Sequence, residues 1–540
     1  MRLMVRVLVV LFVACVGGGL AQEQAAATGH TYYIDSGAGS DDFDGLSAEK
    51  AWKSLEAVNR AVFVPGDRIL FKAGTHYTGQ LRPQGSGTPQ APICVDLYGW
   101  DKKERFTGLA RIDAEGKHDA ALVLSNVQGW EVNNLELTNT GPQQQPRRSG
   151  AIVRLRDFGT ARHIVLSGLY IHDVNGSLVK EAGGGQAILF QSGGRQMPSR
   201  FEGLTIEHCL MRRCQRNGII GGGSTQRDRW FPSLNVVIRG NVLEEIPGDG
   251  IVPQACDGAL IEYNLMRNCP RLLPDSEYAA GIWPWSCDNT IIQFNEVSDH
   301  KAPGDAQGFD SDWNCRGTII QYNVSYNNEG GFLLVCNKSD TPLPQNIGNL
   351  GTIVRYNLSV NDGLRAEGKH AGFSPVFHLS GRLTDTLIYN NTIVVPKKTD
   401  GRIDRQMLKM DNWGGQWPVN TQFINNIFYV EDETRYTFGQ DERTVFSNNL
   451  YFGRHEGLPK DERGIFADPK FVEPVTMPGQ RWTAENWRNF LQDFWIKRFG
   501  VAADSPAAGQ AVLIPDSGDT DLLGRPLPKD RRSLGAIEQN

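Results

Sequence analysis

Apolar positions come in short bursts along most of the chain, never in long helical stripes. One pattern, apolar–x–x–Asn–apolar, organises them. Its clearest copies are Ile238-Arg239-Gly240-Asn241-Val242, Ile261-Glu262-Tyr263-Asn264-Leu265 and Ile292-Gln293-Phe294-Asn295-Glu296. They continue in Ile320-Gln321-Tyr322-Asn323-Val324, Val354-Arg355-Tyr356-Asn357-Leu358 and Ile388-Tyr389-Asn390-Asn391-Thr392. Upstream, Leu135, Leu169 and Cys209 occupy the Asn position, and downstream Asn426 and Asn449 do. Successive steps run from 23 (241 to 264) to 40 residues (169 to 209).

Self-similarity at such a period predicts a solenoid, each repeat burying its apolar face only against its neighbours. Bursts of three to five apolar or β-branched residues are too short for helices and read as strands. Equivalent strands stack about 4.8 Å apart in parallel sheets. Ile, Val and Leu then point inward while a turn Asn recurs on every rung, where stacked amides can bond along the pile. A leucine-rich repeat needs a shorter, stricter period, and a propeller needs four strands per unit.

A second strand follows each Asn turn, announced by Gly and then a large apolar residue: Gly218-Ile219-Ile220, Gly250-Ile251-Val252, Gly281-Ile282-Trp283-Pro284-Trp285, Gly308-Phe309-Asp310-Ser311-Asp312 and Gly331-Phe332-Leu333-Leu334-Val335. The residue after Gly is assigned to the core, and period-two alternation sends the next one outward. Trp283, Trp285, Asp310 and Asp312 therefore share one outer wall on neighbouring rungs. Asp310 and Asp312, two positions apart, have backbones about 6.6–6.8 Å apart, inside the roughly 6.5–9.5 Å that separates acid and base in inverting glycosidases. Paired carboxylates also push each other's protonation apart. Trp283 and Trp285 offer flat faces to sugar rings. Asp249 and Glu329, just before their own glycines, lie at the rims of adjacent rungs. His300, Lys301 and Asp305 lie on the loop leading into the Asp strand, and Lys338 follows the next strand. Other readings stand beside this one. An outward Asp pair can hold Ca²⁺ structurally or be a solvated face, the tryptophans can sit under a loop, and His300 can be incidental. His172-Asp173 and His208 read as ladder residues of earlier turns.

The ends add two helical patterns. Trp52 to Val62, with Leu55, Val58, Ala61 and Val62, predicts a plug for the first coil, and Trp482 to Phe499, with Trp487, Phe490, Leu491, Phe494 and Trp495, predicts an amphipathic helix against the last coil. Arg2 and Arg6 before an apolar run from Val7 to Val16 and a small-residue stretch to Ala21 form a signal-peptide pattern, too short to span a bilayer. Phe12-Val13-Ala14-Cys15 resembles a bacterial lipobox, which leaves a lipid anchor at Cys15 open. The formal charge of −6 over 540 residues argues against a nucleic-acid binder, which would carry a clustered basic face. Of nine cysteines, Cys256, Cys287 and Cys315 each precede a ladder Asn by eight residues (264−256, 295−287, 323−315). They stack in one column and read as structural. There is no zinc spacing.

The sequence resembles the bacterial right-handed parallel β-helix proteins related to pectate lyases and β-helical glycosidases. The resemblance rests on Tyr32-Tyr33-Ile34-Asp35 through Asp44-Gly45, Trp52-Lys53-Ser54-Leu55 and Gly66-Asp67-Arg68-Ile69-Leu70-Phe71 at the start, and on the Asn repeats in the middle. At the end it rests on Asp504-Ser505-Pro506-Ala507-Ala508-Gly509, Gly524-Arg525-Pro526 and Leu534-Gly535-Ala536-Ile537-Glu538. It implies an all-β fold, a single-stranded right-handed parallel β-helix with an N-terminal helical cap and a C-terminal closing segment. It also implies a polysaccharide or oligosaccharide partner. No Gly-His-Gly or Arg-Ile-Lys signature of the polygalacturonase branch is present, so no residue roles carry over. The expected organisation is a signal peptide (1–21), cap and first coil (30–92), β-helix (93–455) and closing segment (456–540). The expected function is a secreted or periplasmic glycoside hydrolase using Asp310 and Asp312, with Asp249, Glu329 or His300 completing the site and Trp283, Trp285 and Lys338 binding substrate. Two alternatives stay open. One is a polysaccharide lyase with His300 or Lys338 as base and a bound cation; the other is a non-catalytic glycan-binding solenoid.

Overall fold

A computed structural model describes residues 29–102, 104–338, 344–440, 443–478 and 493–539. The expected signal peptide and Cys15 lie outside them, as does 482–492, which holds Trp487, Phe490 and Leu491 of the expected C-terminal helix. Among the described residues no helix is long and apolar enough to cross a membrane.

The chain winds into coils whose strands pair in parallel with those of the next coil, building three walls. The first carries the strand before each Asn, such as Val237–Arg239, Leu260–Glu262, Ile291–Gln293 and Ile319–Gln321. Its central residues Ile238, Ile261, Ile292 and Ile320 stack in register and are sealed from water. The second wall follows the Asn, for example Val242–Glu244, Leu265–Arg267 and Val324–Tyr326. The third carries Asn217–Gly222, Ile251–Val252, Gln307–Ser311, Gly331–Asn337, Phe377–Gly381 and Gln406–Asp411. At Ile282 a single bridge on each side, to Ile251 and to Phe309, carries the third wall across.

Between the first and second walls the residue before each Asn adopts the left-handed conformation, with φ of 53° at Tyr263 and Phe294 and 57° at Tyr322. That conformation costs an L-residue about 1–2 kcal/mol. The Asn ladder offsets it. From Asn241 through Asn264, Asn295, Asn323, Asn357, Asn391, Asn426 and Asn449, each side-chain amide donates to the next side-chain oxygen at 2.9–3.0 Å. Each also donates to a backbone carbonyl, as Asn323 does to Ile292 at 2.9 Å. Cys256, Cys287 and Cys315 stack inside as free, sealed thiols, with the Cys256 amide donating to the Cys287 sulfur at 3.3 Å.

The ends differ in part from expectation. The N-terminal helix is Leu55–Arg60, capped by Ser54, with Leu55 and Val58 buried in the first coils. At the other end the described helix is only Phe494–Lys497. The closing segment also does more than cover the last coil: it runs along the side of the second wall. Trp495, Phe499, Leu522 and Ile537 pack with Tyr326, Tyr356, Leu358 and Tyr389, and Ala536 N donates to Thr392. The physical reason is that outward positions of the second wall are themselves apolar (Val324, Leu358, Val394), and the segment removes them from water.

Candidate active site

The third wall decides which side chains meet. Ile251, Ile282 and Phe309 are bridged in sequence and sealed in the core, so alternation sends Val252, Trp283 and Asp310 outward in one column and Gln254, Trp285 and Asp312 in the next. Backbone bonds from Asp310 to Ile282 (3.1 Å) and from Asp312 to Pro284 (3.3 Å) fix that register. Trp283, Trp285, Asp310 and Asp312 do come together on one outer wall.

On the following rung the alignment on glycine slips by one. Gln307, not Gly308, pairs with Gly331, and Phe309 pairs with Leu333. Gly331 has φ 114°, a left-handed kink that a side chain resists, and it absorbs the extra residue. The outward residues next in line are therefore Leu334 and Cys336, followed by His378 and Ser380, then Lys409 and Asp411. Lys338 is exposed just past this strand.

Loops roof the wall, which changes what the outward residues can do. Trp283 is only 4% exposed. Its indole N–H donates to Asp249 at 3.2 Å and the Lys180 ammonium lies 5.2 Å over its ring. The expected open platform at Trp283 is thus a covered prop for Asp249. Trp285 is half-buried and packs 5.4 Å from Trp313, a partner the sequence reading missed.

Asp249 anchors one side. Its oxygens accept from Arg216 (2.5 Å), Ala280 N (3.1 Å) and Trp283, with Lys180 at 3.9 Å. Burial pushes the carboxyl up, but Lys180 and Arg216 outweigh it and hold it below the usual range. Arg216 is fully sealed and also pairs with Glu277 at 3.2 Å. Tyr278–Ala279 pairs with Gly304–Asp305, so this loop assembly also fixes Asp305.

Three carboxyls then face one another. Asp310 is 3% exposed, and its Oδ1 accepts no hydrogen bond among the described residues. Burial, then Asp312 and Asp305, push it well above the carboxylate range. Asp312 is half-buried, with Oδ1 accepting from the Trp313 amide (2.6 Å) and the Cys336 thiol (2.9 Å). Burial raises it, and the two donors oppose that rise. Asp305 is half-buried, with its carbonyl bonded by Arg365, and burial followed by Asp312 pushes its carboxyl up to about 6. Asp310 and Asp312 bring an oxygen within 4.8 Å of each other and of the Cys336 sulfur. That is closer than the roughly 6.5–9.5 Å an inverting pair needs for its water, because both side chains lean toward one point although their backbones are two residues apart.

The remaining expected residues are dispersed. His300 is sealed, its Nε2–H donates to the Gly248 carbonyl at 3.1 Å, and burial drops it to about 4. It belongs to the turn behind Asp249, its amide bonded to Asn328. Glu329 is ion-paired with Arg271 at 2.5 Å. A calcium ion takes six to eight oxygens; two carboxyls and a thiol do not supply them.

A model described as "Right handed beta helix region" matches residues 187–349. The chain folds as a right-handed parallel β-helix. It is similar, at 26% identity over 95% of its length, to a lacto-N-biosidase of Bifidobacterium longum, and it covers 36% of that relative. A 70-residue stretch is 33% identical to α-1,3-galactosidase A of Akkermansia muciniphila, covering 13% of this chain and 12% of that one. The chain thus spans about a third or less of the length of these curated relatives. Among solved structures, the GH136 lacto-N-biosidase from Eubacterium ramulus is similar with a TM-score of 0.53 and 23% identity, over 77% of this chain and 68% of that one.

Proposed function

We propose that the chain is a glycoside hydrolase acting through Asp305 and Asp312, with oligosaccharides ending in lacto-N-biose as the first substrates to test. The observation that carries this reading is the difference among three neighbouring carboxyls. Asp305 and Asp312 are partly exposed, while Asp310 is nearly sealed. Asp305, raised to about 6, holds its proton into the mildly acidic range and can give it to a leaving glycosidic oxygen as general acid. Asp312, which accepts from a thiol and an amide, is the carboxylate kept available to act on the anomeric carbon or its water. Asp310 keeps its proton and positions Asp312. The overall likeness to a lacto-N-biosidase across nearly the whole chain supports the reaction class and suggests the substrate. Trp285 and Trp313, both half-buried and packed together next to Asp312, would hold a sugar ring.

The test is to incubate purified full-length protein with lacto-N-biose-terminated oligosaccharides and a wider glycan panel. Release of reducing sugar without an ultraviolet-absorbing unsaturated product is expected. An unsaturated product, or no turnover on any glycan, overturns the reading. The rate should fall as pH rises through about 6, because the acid then loses its proton, and Asp305→Asn should remove that limb. With an activated aryl leaving group, which needs no protonation, Asp305→Asn should recover much of its rate.

A further inference from the structure

We propose that Asp310, Asp312 and Cys336 form a binding site for a thiophilic divalent cation of the zinc type. One ligand atom from each lies within 4.8 Å of the other two, and the Cys336 sulfur is already 2.9 Å from an Asp312 oxygen. The independent sign of a missing partner is Asp310. It is 97% buried, and its Oδ1 lacks any hydrogen-bond partner among the described residues, while buried polar atoms are almost always paired. A cation seated among the three ligands would satisfy it.

The donor set selects the ion. Two carboxylate oxygens and one thiolate give three ligands, and the partial exposure of Asp312 leaves solvent access for a fourth, the ligand count of an open zinc site. Calcium and magnesium want all-oxygen shells of six or more ligands, and sulfur selects softer metals. Binding would exchange protons for metal: Cys336 S–H and the Asp310 carboxyl release theirs to solvent as the metal–sulfur and metal–oxygen bonds form. Cys336 stands apart from the other described thiols. Cys209, Cys214, Cys256, Cys269, Cys287 and Cys315 lie in the main core cluster, and Cys94 is half-buried beside Asn133 on the first wall. Under the hydrolase reading the metal would occupy Asp312 and inhibit, so the cluster would be a cation-sensitive active centre.

Chelator-stripped full-length protein, titrated with cadmium as a spectroscopic substitute for zinc, should develop a sulfur-to-cadmium ultraviolet band that saturates at one equivalent by equilibrium dialysis. Zinc should abolish the band by competition, and excess calcium should not. Cys336→Ser should lose the band. Asp310→Asn, close in shape to the protonated acid, should keep the band but bind roughly ten- to a hundredfold more weakly. Cys94→Ser should behave as wild type. An unchanged band in Cys336→Ser, unchanged affinity in Asp310→Asn, or displacement by calcium would overturn the site; should Cys336→Ser not fold, the Asp310 and calcium arms decide. These readouts do not need turnover, so a failed hydrolase reading leaves them intact. Where turnover is found, zinc should inhibit it and a chelator should restore it, with Cys336→Ser less sensitive.

Discussion

The Asn ladder and the acidic cluster are both groups of buried polar side chains, one repeated along the coil axis and the other gathered on a single rung, yet one is satisfied and the other is not. An amide has a donor and an acceptor, so identical amides stack head to tail, as Asn295, Asn323 and Asn357 do at 3.0 Å. A carboxylate only accepts. Asp310 and Asp312, with oxygens within 4.8 Å, leave one oxygen of Asp310 orphaned, and burial followed by Asp312 pushes the Asp310 carboxyl upward. Ladder strength comes from complementarity within one residue type, and reactivity comes from its absence.

The comparison can be broken from either side. The largest effect is expected at Asp312→Asn, which should lower kcat/KM by about 10³-fold or more with an unchanged circular dichroism spectrum; a smaller loss would remove Asp312 from the reaction. Next is Asn323→Asp, which puts a carboxylate into the ladder. Its second oxygen would face the Asn357 oxygen and the Ile292 carbonyl, both acceptors. Denaturant unfolding should report a loss of roughly 3–5 kcal/mol, growing with pH as the buried acid ionises. Asp310→Asn is the converse, supplying an amide where a protonated acid stands. Turnover should change by less than about tenfold. The sign of its stability effect follows from linkage: a carboxyl raised in the folded state contributes stability below its unfolded value and loses it as pH rises through the folded one. The variant should therefore gain stability over wild type on the alkaline side, read by thermal melts across pH. Smallest is Lys180→Ala. Its ammonium is half-exposed and 3.9 Å from Asp249, so its loss should lower stability by at most about 1 kcal/mol in denaturant unfolding and leave the fold intact.

Much of this was legible in the sequence because it repeats. The Asn position, the inward Ile and Val and the cysteine column each recur at one place per coil, and alternation put Trp283, Trp285, Asp310 and Asp312 on one wall. The reading ended where the chain leaves the coil. Asp305 was visible only as a loop companion of His300, since a two-residue pairing with Tyr278–Ala279 sets its place. Arg216 and Lys180 reach Asp249 from 33 and 69 positions earlier (249−216, 249−180), which no local period reports. Cys336 was displaced by the single-residue slip at Gly331. Exposure failed for the same reason: alternation tells which way Trp283 points, not that a loop roofs it.

The Asn ladder also has a direction. At its late end Asn449 donates to Asp461, which also receives the Asn448 and Asn449 amides at 2.9 and 3.1 Å, and at its early end Asn241 accepts from the Cys209 amide at 3.0 Å. Every interior amide passes its proton donor the same way, toward one terminal anion. A coil spliced in or cut out anywhere between these two terminators would leave both of them correctly matched. As far as the ladder's own hydrogen bonds go, the solenoid can thus change length by whole turns, while the closing segment along the second wall is matched to the present number of rungs.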